Sequence, residues 1–285
     1  MNNIESRKNQ KGLNNIKEIT EKLEQGVVEV FQGDNYKKYL EIMGRFHNYS
    51  FNNCILIAMQ KPEATLVAGF KSWQTNFKRN VKKGEKAIKI LAPIPHKFKK
   101  EIETENGEKE IKEIKYATFR AISVFDVSQT EGEELPTICE KLTGDVEGFK
   151  EIIKKLENVS PVPISYEAIN GEANGYYSFI TNSITVSSDL SEQQTVKTLI
   201  HEISHSILHN QETGAEKDAD KSTKEIQAES VAYTVCSWLG LDTSDYSFGY
   251  VASWSENKEV KELQASMDII RKTACKIIEG IERAA

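Results

Sequence analysis

The chain has 285 residues, 28% of them charged, with a net charge of −6, and is long enough for two modest domains to bury cores without covalent staples. Its cysteines, Cys54, Cys139, Cys236 and Cys275, lie far apart and form no CxxC pair, which argues against a zinc ribbon and a secreted disulfide framework and fits a reducing cytoplasm. No run of about 18 apolar residues is present, and "MNNIESRKNQKGLNNIKE" lacks the apolar stretch of a signal peptide, so a soluble, cytoplasmic protein without a membrane partner is expected.

In chain order, the spacing of Leu13, Ile16, Ile19 and Leu23 predicts an amphipathic helix over 13–30. Two more follow over 35–46 and 51–60, and a short one over 70–77 carries Phe70, Trp73 and Phe77 along one side. Lys83-Gly84 makes a turn before a strand from Ala87 to Ile94. Residues 97–115 read as a charged excursion, a hairpin loop with "ENGE" at its tip, and 116–129 as the returning strand or strands. Between 129 and 144 periodicity is lost while acid, Gly and Pro gather, which predicts a linker between one domain over 11–128 and another over 145–285. Beyond it come a helix over 145–157, a strand start in "SPVPISYEA" and two short strands around Thr181-Asn182. Ser191 stands three residues before Gln194, the spacing of a capping box at the start of a long helix. A helix over 222–239 stops at Gly240, and a last one covers 257–284. The fold class is α+β in two domains.

Charge is unevenly spread. Residues 1–100 carry 19 Lys/Arg against 9 Asp/Glu, residues 101–285 carry 18 against 34, and residues 51–100 alone carry 11 against 2. A basic field attracts polyanions. Single-stranded nucleic acid is held by such a groove together with rings on which bases stack. The candidate set for that role is Tyr49, Phe51, Asn52, Lys71, Trp73, Lys78, Arg79, Lys82, Lys83 and Lys86.

The stretch "TLIHEISHSILHN", 198–210, holds three of the five histidines. Helix residues four apart share a face with Cβ atoms about 5–6 Å apart, so His201 and His205 can aim both imidazoles at one ion. "HEISH" is the HExxH pattern: two zinc ligands on one turn, with Glu202 placed as the base for a metal-activated water. Val196, Leu199, Ile200, Ile203 and Ile207 supply a core-facing side. A catalytic zinc needs a third protein ligand. His209 lies a further turn on, about 6 Å past His205 and out of reach of an ion held by the first pair; it is expected to face the C-terminal dipole of the helix instead. The next helix, "KEIQAESVAYTVCSWLG", offers Glu225 and Glu229 on one face, and packs by a half-buried side of Ala228, Val231, Ala232 and Val235. Tyr176, Tyr177 and Tyr233 are the tyrosines available to stabilise a transition state.

HExxH followed twenty residues later by Glu225, with Glu229 four beyond, resembles the gluzincin pattern of thermolysin-like peptidases. The resemblance implies a small-sheet-plus-helices fold with Glu225 as zinc ligand and Glu229 hydrogen-bonded to a ligand histidine, the swapped assignment remaining open. It also implies that 176–188 contains the edge strand along which substrate is laid.

"YSFNNCILIAMQ", "GFKSWQ" and "VKKGEKAIKILAP" resemble, in order and spacing, the N-terminal domain of ArdC-type antirestriction proteins over 13–128, and the HExxH half with "EIQAES" is similar to that family's second module. This implies a single-stranded-DNA-binding domain joined to a zinc-metallopeptidase-like domain, protecting DNA from restriction during transfer of plasmids and conjugative elements. The peptide or protein substrate is not implied. The alternatives are a DNA protector with a non-catalytic zinc site, and a regulatory metallopeptidase like ImmA/IrrE that cleaves a repressor.

Overall fold

The computed structural model describes residues 18–135 and 146–284, except 33, 104–108, 213, 217, 247 and 257. By contact the chain divides into two compact units, Met1–Gly26 with Leu56–Glu133, and Val27–Ile55 with Glu134–Ala285. Val27–Ile55, which lies within the first expected domain over 11–128, clusters by contact with the C-terminal residues. Helix α1 (18–30) and helix α3 (Phe51–Gln60) each contain one of the dividing points.

In the first unit, β1 (Val67–Gly69), β4 (Lys109–Asp126) and β3 (Ile88–Glu103) form an antiparallel sheet in the order β1-β4-β3. Strands β3 and β4 stay paired from Ile88↔Val124 out to Glu103↔Lys109. The charged stretch 97–115 is thus mostly ladder, not loop; backbone pairing needs no buried side chains, so a solvated ribbon can carry lysines. Of the "ENGE" tip, residues 105–108 lie outside the described residues. Near the body of the unit, Ile88, Ile90 and Val124 are buried together with Val67 and with Trp73 of α4 (Phe70–Thr75). Strand β2 (Arg79–Val81) pairs with β5 (Thr130–Gly132), which makes the beginning of the expected linker a strand; residues 136–144 of that linker lie outside the described residues.

Asp126 ties this unit together. Its carboxylate accepts the backbone N–H groups of Thr65 at 2.8 Å, Leu66 at 3.2 Å and Ser128 at 2.9 Å. Burial by itself raises the pKa of this carboxyl, but the hydrogen bonds from Ser128, Thr65 and Leu66 outweigh it and hold the group below its ordinary value.

The second unit assembles α2 (Asn35–Arg45), α5 (Val146–Val159), α6 (Glu192–Leu208), α7 (Lys221–Trp238), α8 (Val251–Ser255) and α9 (Val260–Arg283) around a small sheet. In that sheet β6 (Ile164–Glu167) runs parallel to β8 (Ser183–Ser187), and β7 (Gly175–Ser178) pairs antiparallel to β8 on the other side, at the edge. Helix α7 packs against α6, α2 and α9. Ile226, Ala228, Val231, Ala232 and Val235 are fully buried, and Ser230 meets the Tyr36 hydroxyl of α2 at 2.7 Å. It is therefore buried on more sides than its own sequence suggests. Gly175 lets β7 lie close to α6: a Cβ there would come 2.7 Å from Thr198 Cγ2 and 2.9 Å from Thr185 O.

The fold is α+β, as expected. Among the described residues, no helix is long and apolar enough to cross a membrane.

Candidate metal centre

Helix α6 begins as its sequence predicts. Ser191 Oγ accepts the Gln194 N–H at 3.3 Å, and Gln194 Oε1 accepts the Ser191 N–H at 3.3 Å, satisfying two donors that a helix start leaves open. Val196, Leu199, Ile200 and Ile203 are completely buried, which fixes the rotation of the helix. His201 and His205 then lie one turn apart with their Nε2 atoms 3.1 Å from each other, and Glu225 of α7 brings Oε2 to 3.7 Å from each of those nitrogens.

These three side chains could hold a metal ion, since their donor atoms all lie within 4.8 Å of one another. Zinc–ligand bonds of about 2.0–2.1 Å in a tetrahedron separate neighbouring ligands by about 3.3–3.4 Å. The observed separations, 3.1, 3.7 and 3.7 Å, bracket that value. Two imidazoles and one carboxylate fit a hydrolytic divalent metal.

The charges around the centre are unequal by construction. Glu202 is buried, and burial raises its pKa above the ordinary carboxylate value against the opposing pull of His201, His205 and a hydrogen bond from the Tyr177 backbone N–H. A carboxyl raised in this way holds a proton more readily than an ordinary carboxylate, which suits a general acid–base role. Burial pulls His201 down, but the neighbouring Glu225 and the charges of Glu202 and Glu229 outweigh it, and its pKa is raised. The neighbouring imidazoles of His201 and His205, each 3.7 Å away, hold Glu225 well below the usual carboxylate range. Glu229 is raised, first by burial and then by the charge of Glu225. Beside the histidines a cleft of about 280 Å³ is lined by Gly175, Lys197, Thr198, Glu202, Glu229 and Tyr246, among others.

His209 departs from expectation. It caps α6, but it is fully buried, and burial pushes its pKa down to about 4, so it carries no charge to set against the helix dipole at neutral pH. Its Nδ1 lies 2.9 Å from His205 Nδ1, and its Nε2 lies 3.0 Å from Gln227 Oε1. The three tyrosines are also placed differently from one another. The Tyr233 hydroxyl donates to Glu41 and that of Tyr177 donates to Asn182, while Tyr176 is half-exposed. Tyr246, in the loop after α7, is the tyrosine that lines the cleft, and no periodicity in that loop could have singled it out.

Residues 3–125 match the family model described as the N-terminal domain of anti-restriction factor ArdC, and residues 158–247 match a peptidase-family model described as the IrrE N-terminal-like domain. The chain thus joins, in order, an ArdC N-terminal-like domain and an IrrE N-terminal-like domain. Its fold resembles the metal-free crystal structure of the antirestriction ArdC protein from plasmid R388, with 20% identity, 81% of this chain and 85% of that chain covered, and a TM-score of 0.51. The Mn(II)-bound structure of the same protein aligns at 18% identity, 81% and 84% coverage and a TM-score of 0.48. An uncharacterized protein of Bacillus anthracis is 28% identical over 94% of this chain and 51% of its own length. The chain thus spans about half the length of that curated relative.

The ten residues expected at a nucleic-acid face are divided between the two units and between buried and exposed positions. Trp73 is a core residue: it is fully buried, and its indole N–H donates to Phe125 O at 2.9 Å, so no face of the ring is free for a base. Phe51 is buried too, edge-on to Tyr39 with ring centroids 5.4 Å apart. Helical spacing identifies a stripe of rings without saying which of them point inward; here Trp73 does, while Phe70 on the same side is exposed. By contact Tyr49, Phe51 and Asn52 belong to the second unit, and the other seven to the first. Arg79 is engaged with Thr130 through Nε at 2.8 Å and with the Glu133 carbonyl, Lys78 pairs with Glu133 at 3.6 Å, and Lys82 donates to Ser128 O at 3.0 Å. Lys71, Lys83 and Lys86 are exposed. The exposed rings of the first unit are Phe70 at 48%, Phe98 at 45%, Tyr116 at 49% and Phe119 at 53%. All but Phe70 stand on the β3–β4 ribbon. The register Pro93↔Phe119 and Lys97↔Lys115 puts Phe119 on one face with Lys89, Lys97 and Lys115.

Proposed function

We propose that this ArdC-like chain is a cytoplasmic antirestriction protein of a mobile, conjugative element, which binds single-stranded DNA and carries a zinc peptidase site. The observation that carries the reading is the convergence of His201, His205 and Glu225 beside a buried, raised Glu202. When bound, a divalent ion supplies Lewis acidity and a water acidified toward neutrality. His201, His205 and Glu225 would hold that ion. Glu202 takes a proton from the nucleophile and returns it to the leaving group, and the Tyr177 N–H keeps its carboxylate in place. Lys197 and Tyr246 line the cleft through which a peptide approaches, next to edge strand β7. Glu229, raised by burial, serves outside the ligand set.

Support for the nucleic-acid half comes from the ArdC N-terminal match and from the exposed rings interleaved with lysines on the first unit. A fluorescent single strand titrated with the full chain should bind with an affinity that falls steeply with salt; no binding at low salt would remove this half of the reading. For the peptidase half, Glu202→Gln should retain metal and abolish hydrolysis of the physiological target. Intact antirestriction in that variant would instead favour a non-catalytic zinc site.

A second reading is favoured by the match of 158–247 to the IrrE N-terminal-like domain: a regulatory metallopeptidase whose substrate is a repressor protein. It predicts target cleavage through the same Glu202 with no affinity of the chain for single-stranded DNA.

A further inference from the structure

A directed chain of hydrogen bonds runs from the metal centre through the end of α6 into α7, and its direction can be read from the far end. Gln227, fully buried in α7, places Nε2 3.3 Å from Glu216 Oε2 and 3.4 Å from Ser266 Oγ. An ionised carboxylate only accepts, so the amide nitrogen must face Glu216 and the amide oxygen must face His209. That oxygen lies 3.0 Å from His209 Nε2, and since an amide oxygen also only accepts, His209 Nε2 carries the hydrogen. Both ring nitrogens of His209 face partners that offer no negative charge, an imidazole of His205 and the amide of Gln227, in a site without solvent exposure, where an imidazolium would be costly. The ring is therefore neutral, and its Nδ1 is a lone pair. At 2.9 Å from that lone pair, His205 Nδ1 must be the donor. An imidazole that donates through Nδ1 binds a metal ion through Nε2, and in His205 that is the atom 3.1 Å from His201 Nε2 and 3.7 Å from Glu225 Oε2.

We propose that His209, held by Gln227, is a positioning residue that fixes His205 in the tautomer and ring orientation able to bind a metal ion. This rests on the reading of His201, His205 and Glu225 as the metal ligands. A histidine ligand generally donates its second N–H to a fixed acceptor, and loss of such acceptors typically costs about 10–100-fold in metal affinity. Here the acceptor is an imidazole, which would itself be ambiguous in tautomer without the amide of Gln227 behind it. His209 lies eight residues past His201 and cannot join the ligand pair, yet its spacing of four from His205 gives it this second role.

The test uses the full chain, metal-free and then titrated with Zn²⁺ against a chromophoric chelator. Nitrogen-edited imidazole NMR of the metal-free protein should show His209 as the Nε2–H tautomer and His205 as Nδ1–H; the opposite tautomer at either ring overturns the proposal and requires no variant to fold. His209→Leu should weaken Zn²⁺ binding about 10–100-fold, while His209→Gln, whose amide oxygen can accept from His205, should restore most of the loss. If His209→Leu does not fold, Gln227→Leu should weaken Zn²⁺ binding in the same direction. Equal affinity in wild type and both leucine variants would sink the positioning role while leaving the ligand assignment standing. Absence of Zn²⁺ binding in the wild type would instead remove the ligand assignment.

Discussion

The Nε2 atoms of His201 and His205 stand 3.1 Å apart, one turn along the same helix, close to the separation of neighbouring ligands on one tetrahedral ion. Nothing in α6 alone completes that arrangement. The carboxylate comes from α7, which can deliver it because Ile226, Ala228 and Val231 are buried around it and set its rotation.

The ligand order is testable within α7. Glu225 Oε2 is 3.7 Å from both histidine nitrogens, whereas Glu229 is coupled to His201 only through charge. Glu229→Gln should lower Zn²⁺ affinity by no more than the about 10–100-fold expected of a residue outside the ligand set, and Glu225→Gln by more. Chelator competition on the two variants decides it, and the reverse order would exchange their roles.

Edge strand β7 is seated by Gly175. Gly175→Ala places a methyl 2.7 Å from Thr198 Cγ2 and 2.9 Å from a backbone oxygen, an overpacking that should cost about 1–3 kcal/mol. Urea unfolding measures this, and an unchanged midpoint would show that β7 does not need the close approach.

Trp73 and Phe119 should behave oppositely. Trp73→Ala empties a fully buried site and should destabilise the protein by about 3–5 kcal/mol. Phe119→Ala should alter stability by less than about 0.5 kcal/mol, yet weaken single-strand binding by about 1–3 kcal/mol if a base stacks there. Thermal unfolding beside a salt-controlled single-strand titration separates the two effects. Loss of binding in Trp73→Ala at full stability would restore that ring to the interface.

Asp126 gives the first unit a defined acid sensitivity. Its folded-state pKa lies below the unfolded value of about 3.9, so as pH falls the unfolded chain takes up the proton first, and stability falls with it. The contribution is complete above about pH 4 and disappears as pH drops through the folded value. Asp126→Asn should therefore be less stable at pH 7 by about 1–3 kcal/mol, with the gap closing below about pH 4. A gap independent of pH in urea titrations would contradict the role given to the three N–H donors.

Local signals survived into the structure where the chain decides matters within a few residues. Ser191 with Gln194 marked the start of α6, and the four-residue step from His201 to His205 fixed their common face. Gly240, with φ of 75°, stands just past the end of α7, as its sequence position suggested. What depended on distant partners did not survive. Trp73 and Phe51 read equally well as stacking platforms and as core, and only the opposing elements settle which they are. The lysine-rich 97–115 stretch resembled a loop because its ladder is made by backbone groups that side-chain patterning does not report. Val27–Ile55 joined the second unit through contacts such as Tyr36 with Ser230, 194 residues apart in sequence. Reach alone separates His209 from the expected ligand pair, and its contact with Gln227 on another helix leaves no trace in the spacing.

The central claim is that His201, His205 and Glu225 hold one divalent metal ion. Elemental analysis of the full chain after loading with Zn²⁺ and removal of excess, beside His205→Ala treated identically, tests it most directly. One ion per chain is expected in the wild type and none in the folded variant; equal metal content in the two would contradict a site built on His205.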